Sequence, residues 1–83
     1  MNITSENLKE KNALHSFSIT FRNKDHFYKV VNWLNNNVGR ERTSWTMEGR
    51  VRKHLVNGNT VTRKVYIYKD EFEPSSALFL NLI

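Results

Sequence analysis

Between Arg40 and Lys69 the chain carries eight lysines or arginines (Arg40, Arg42, Arg50, Arg52, Lys53, Arg63, Lys64 and Lys69) against two acids, Glu41 and Glu48. The resulting local charge of +6 exceeds the +5 of all 83 residues, so the basicity is concentrated rather than spread. Cations at this density suit a polyanion, because each phosphate they neutralise releases condensed counterions. Strict alternation from Thr43 to Lys69 predicts a β-hairpin that sets Arg50, Arg52, His54, Lys64, Tyr66 and Tyr68 on one face. The two tyrosines add a second kind of contact, since stacking a base on an aromatic ring contributes roughly 1–3 kcal/mol whatever the base. The expected nucleic-acid surface is therefore Arg40, Arg42, Arg50, Arg52, Lys53, His54, Arg63, Lys64, Tyr66 and Tyr68, with RNA or a single strand as its partner. Ordinary strand propensity and solvated, splayed cations would produce the same residue types.

The pairing within this hairpin follows from its pattern. Trp45, Met47, Val51, Leu55, Val61, Val65 and Ile67 all share odd parity and form the apolar face. Asn57-Gly58-Asn59 supplies turn chemistry, because Gly and Asn tolerate the left-handed backbone. A two-residue loop would oppose apolar and charged side chains, so a three-residue loop is expected, with Val51 opposite Val65 and Leu55 opposite Val61. Arg52 then faces Lys64 and Arg50 faces Tyr66, with Glu48 opposite Tyr68. Like charges directly opposed disfavour the sheet by a few tenths of a kcal/mol or more, and a bound phosphate reverses that sign.

Catalytic constellations are sparse. His15, His26 and His54 fall on three separate predicted elements and give no metal-ligand spacing, so no metal and no cofactor are expected. Gly39, Gly49 and Gly58 are scattered singly and build no phosphate loop. One reaction stays open: metal-free RNA cleavage, with His54 as base beside Arg52 and Lys64. Small ribosome-dependent mRNA interferase toxins are similar in size and residue type, without a shared motif. The expected protein is not an enzyme.

These residues need a scaffold. His15 to Arg22 alternates, with Phe17, Ile19 and Phe21 on one side and Ser16, Ser18 and Thr20 on the other, and reads as the first strand. Asn23 or Asp25 caps the next element, in which Phe27, Val30, Val31, Leu34 and Val38 recur at helical spacing until Gly39 stops it. A helix over about 24–38 is predicted, with Trp33 lapping the rim of its apolar stripe and Trp45 anchoring the core or a sheet edge. Pro74 opens a short C-terminal helix, although Leu78, Leu80 and Leu82 also alternate as in a strand. The acids Asp70, Glu71 and Glu73 suit the N-terminal end of that helix. The expected fold is α+β: a βαββ core whose three-stranded antiparallel sheet is covered by one helix. Residues 1–13 form a flexible arm and 14–83 a single domain.

The absence of cysteine excludes disulfides and thiolate metal sites, and no apolar run reaches the ~20 residues of a membrane span, so a cytoplasmic protein with no membrane partner is expected. With its arm, its βαββ order, eleven asparagines beside seven lysines, and the hairpin Arg50-Val51-Arg52-Lys53-His54, the chain resembles small accessory proteins of large tailed phages. Some of these counter host defences, which implies a non-catalytic binder that engages RNA, together with a host toxin or nuclease. Two alternatives come from other classes: an inhibitor that uses the same cations on an acidic host protein, and a small metal-independent ribonuclease. An open sheet edge could also pair with a second copy.

Overall fold

The computed structural model describes residues 13–49, 51, 55 and 58–83. In chain order the elements are β1 (His15–Phe21), α1 (Lys24–Asn37), β2 (Trp45–Met47), β3 (Val61–Ile67) and α2 (Ser76–Leu82). The three strands form one antiparallel sheet in the order β1-β3-β2. The fold is the expected α+β arrangement, with the last strand of the chain in the centre.

β1 pairs with β3 over its full length, from His15 opposite Ile67 to Phe21 opposite Val61. Odd positions of both strands point at α1, and Ile19, Phe21, Val65 and Ile67 are fully buried. α1 starts where expected: Asn23 accepts a hydrogen bond from the His26 amide at 2.8 Å, which satisfies one of the free first-turn donors. It stops where expected too, as Gly39 takes φ +140° and its amide returns to the Leu34 carbonyl. His26, Val30 and Leu34 form the buried stripe between these caps. Trp33 is partly buried at its border, against Phe79 of α2.

α2 confirms the helical reading of the C-terminal run and lies along the free edge of β1. Asn81 acts there as a substitute strand: its Oδ1 accepts from the Thr20 amide at 3.0 Å and its Nδ2 donates to the Ser18 carbonyl at 3.1 Å. An open edge is a template for another chain, and one of the two edges that could pair with a second copy is thus occupied at its middle. The opposite edge, β2, is three residues long and is flanked by a bridge between Glu41 and Trp45. Phe72, in the run read as an acidic patch, is buried and stacks on Phe17 at 5.3 Å, which ties the connection before α2 to the sheet.

The long hairpin is corrected. β2 ends at Met47, which pairs with Val65, while Thr46 pairs with Tyr66 and Trp45 with Ile67. Relative to the expected pairing of Val65 with Val51, β2 is displaced by four residues. Val51 and Leu55 have helical backbone instead, and both are buried in the core. Their spacing of four fits both periods, since it keeps parity in a strand and returns to the same face of a helix. Gly49, at φ +78°, ends the strand. Gly58, also at φ +78°, donates its amide to the Leu55 carbonyl, so it stops the helical turn and is not the tip of a tight hairpin. Arg50, Arg52, Lys53, His54, Asn57 and residues 1–12 of the expected 1–13 arm lie outside the described residues.

Candidate nucleic-acid interface

The described cations of the expected surface fall into two groups along β3. The first gathers at the β2 side of the sheet. Arg40 and Arg42 are exposed on the turn between α1 and β2, whose Thr43 and Ser44 amides both donate to the Arg40 carbonyl. Arg42 sits at φ +71°, a left-handed conformation that costs a non-glycine residue about 1–2 kcal/mol, and its amide is spent on the Trp45 carbonyl. Trp45 braces the turn from below, buried, with its indole Nε1 donating to the Gly39 carbonyl at 2.9 Å. Gly39 is required here for space as well as for φ: a Cβ would run into the Ser44 side chain and come within 3.3 Å of Lys69 Nζ. Lys69, exposed just past β3, therefore belongs beside this turn, and its charge joins those of Arg40 and Arg42.

The second group is at the start of β3, where Arg63 and Lys64 point to opposite faces. Arg63 lies over Gly49, so that a Cβ there would meet its Nε at 2.8 Å, and its Nη1 donates to the Thr62 carbonyl. Lys64 shares the other face with Ser16, Ser18, Thr20 and Thr62, all exposed and hydroxyl-bearing. Thr20 and Thr62 face each other in the register and join through their hydroxyls at 2.8 Å. Lys64 and Lys69 are five residues apart, about 17 Å of strand, so the two groups are too far apart to share one small anion.

The aromatic platform does not form as expected. Tyr66 is 4% exposed, and so is Thr46 beside it, so this part of the second face is covered and the Tyr66 ring is closed to a base. The Tyr66 hydroxyl donates to Glu48 Oε2 at 3.1 Å, and Lys64 Nζ stands 6.0 Å from the ring centroid, at the outer limit of a cation–π contact. Glu48 was expected opposite Tyr68; the displaced pairing gives it to Tyr66 instead. The Tyr68 hydroxyl is buried with no hydrogen-bond partner among the described residues, and desolvation pushes its pKa above the ordinary 10.0. Neither tyrosine offers an open ring face and a free polar edge together.

Two histidines have structural employment. His26 is buried, its Nδ1 accepting from the Arg22 amide at 3.3 Å and its Nε2 donating to the Leu80 carbonyl at 2.7 Å. It fastens the end of β1 and the start of α1 to α2. His15 Nε2 donates to the Asp70 carbonyl at 3.1 Å, because a carbonyl can only accept. Among the described residues no group of three His, Asp or Glu side chains converges on a metal position, and no helix is long and apolar enough to cross a membrane. A cleft of about 120 Å³ lined by His15, Ser16, Phe17, Phe72, Pro74 and Ala77 is well below the roughly 300 Å³ of a typical small-molecule site. Phe72, Asn81 and the role of His26 were missed from sequence, and Lys69 was counted in the basic segment but left off the expected surface. For Phe72 the signal was present, an aromatic alone among acids, and for Asn81 there was none.

Comparisons of the chain with family models, with curated proteins and with solved structures return no match.

Proposed function

We propose that the protein is a small basic nucleic-acid binder that acts by holding phosphates, with RNA or a single strand as ligand and without catalysis. The observation that carries this reading is the gathering of Arg40, Arg42 and Lys69 around a turn braced by Trp45 and Gly39, with Lys64 further along the same central strand. A braced turn lowers the entropy lost when cations are held against a ligand. The hydroxyls of Ser16, Ser18, Thr20 and Thr62 supply donors for phosphate and sugar oxygens on the Lys64 face. With Tyr66 buried, base stacking has little part, so binding should depend on charge and weakly on sequence.

Binding without cleavage is supported by His26, which is buried with both ring nitrogens hydrogen-bonded to backbone. A general base must reach the proton it removes, and the buried His26 is closed to a substrate, while His54, the histidine weighed as a base, lies outside the described residues. The test is a mobility-shift assay with end-labelled single-stranded RNA and duplex DNA. The expected result is retarded, intact RNA, with affinity lowered at least several-fold in Arg40→Ala/Lys69→Ala while the far-ultraviolet circular dichroism stays unchanged. Shortened RNA that disappears in His54→Ala would overturn the reading in favour of a ribonuclease.

A further inference from the structure

α2 is amphipathic in an unusual direction for a surface helix. Leu80 is fully buried on its inner side, whereas Leu78 and Leu82, one turn apart, are 67% and 69% exposed, and Phe79 between them is 48% exposed beside Trp33. These side chains form one continuous outward apolar face. The run 74–83 contains no Lys, Arg, Asp or Glu, in a chain of net charge +5.

The two ends of this face differ in charge. Before its N-terminal end stand Asp70, Glu71 and Glu73, all exposed, and the Glu73 carbonyl accepts from the Ser76 amide at 2.9 Å. At its C-terminal end the Arg22 guanidinium donates to the Ile83 carbonyl at 2.8 Å, with Lys24 two residues on against the single acid Asp25. A two-fold axis across the middle of α2 lays two copies antiparallel. Leu78 of one copy then meets Leu82 of the other, and the acidic end of each helix meets the basic end of its partner. The position of α2 favours this as well. It lies along the free edge of β1, and Arg40 and Arg42 are at the β2 side, across the full width of the sheet. Contact through α2 keeps the strongest cations of the two copies apart.

We propose that the outer face of α2 is a homodimer interface, formed by Leu78, Phe79 and Leu82 packed antiparallel against a second copy and oriented by Glu73 and Arg22. The proposal is independent of the nucleic-acid reading, and the dimer would carry the two Arg40 and Arg42 turns at its far ends.

Sedimentation velocity of the full chain across a concentration series tests it. The wild type should shift from 9.9 kDa toward twice that mass, and Leu78→Asp/Leu82→Asp should remain monomeric. Glu73→Arg and Arg22→Glu should each weaken association, and their combination should restore it, a rescue that only an antiparallel contact of these ends produces. The charge swap decides the matter even if the double aspartate variant folds poorly. A wild type still monomeric near about 1 mM, the limit of weak association, would overturn the proposal. So would a dimer indifferent to Leu78→Asp/Leu82→Asp, or a charge-swap combination weaker than either single variant. Monomer that cosediments with phosphatidylcholine vesicles would overturn it too, assigning the face to a lipid surface.

Discussion

The β1–α1–α2 side of the molecule and the stretch from Gly39 to Lys69 handle their polar groups in opposite ways. On the first side, backbone groups that strand and helix leave open are met by side chains from far along the chain: Asn81 serves Ser18 and Thr20, and His26 joins Arg22 to Leu80. The second side has a three-residue strand, and Arg42, Gly49 and Gly58 in left-handed backbone. It also holds a buried Tyr68 hydroxyl without a partner among the described residues. The left-handed Arg42 and the unpartnered Tyr68 hydroxyl each cost stability, and here they accompany the exposed cations. One side is a scaffold, and the other uses the stability that scaffold supplies to hold a charged surface in place.

The largest effect should come from breaking the scaffold. His26→Ala removes a buried ring and strands both the Arg22 amide and the Leu80 carbonyl, so a loss of about 3–4 kcal/mol is expected by urea denaturation. A loss under about 1 kcal/mol would mean that α2 is held independently of His26.

Two valines sharpen the contrast between strand and helix. Val65 is fully buried in the central strand, and Val65→Ala should cost about 2 kcal/mol. Val51 is also buried but helical, and alanine is the better helix former, so Val51→Ala should cost about half as much. Equal losses would favour the long hairpin.

Asn81→Ala should cost about 1 kcal/mol, because two backbone groups of β1 lose their partner. It should also uncover the strand edge, seen as faster deuterium exchange of the Thr20 amide. An unchanged exchange rate would show that the amide is protected by something else.

The smallest effect is expected at Tyr68. Burial raises its pKa in the folded protein, so above about pH 10 the unfolded state gives up the proton first and stability falls as pH rises. Tyr68→Phe should leave the neutral-pH melting temperature unchanged or higher and flatten that alkaline decline. A decline of the same steepness in the variant would place its origin elsewhere.

Legibility from sequence divides along the same line. Asn23, the stripe from Val30 to Leu34 and Gly39 specify α1 through local chemistry, and alternation in β1 has one consistent reading. Six of the seven odd-parity apolar residues from Trp45 to Ile67 enter the core, and the seventh, Met47, packs against it half-buried. Parity alone, however, does not separate strand from helix for Val51 and Leu55, and the break at Gly49 decides it. The cations Arg40, Arg42, Arg63 and Lys64 were found by composition, but their grouping was not, because Lys69 reaches the Gly39 turn only through the pairing of β2 with β3. Burial of Tyr66 depends on what covers the second face of the sheet, which no local pattern encodes.

Fluorescence anisotropy of a labelled single-stranded RNA, titrated with protein at several salt concentrations, tests the proposed phosphate-holding role of this surface most directly. Engagement of three or four phosphates by Arg40, Arg42, Lys64 and Lys69 predicts a log–log slope of affinity against salt of about −2 to −3, and Arg40→Ala/Lys69→Ala should make it shallower by about 1.4. No binding at low salt, a flat salt response, or a slope untouched by that double substitution would contradict it.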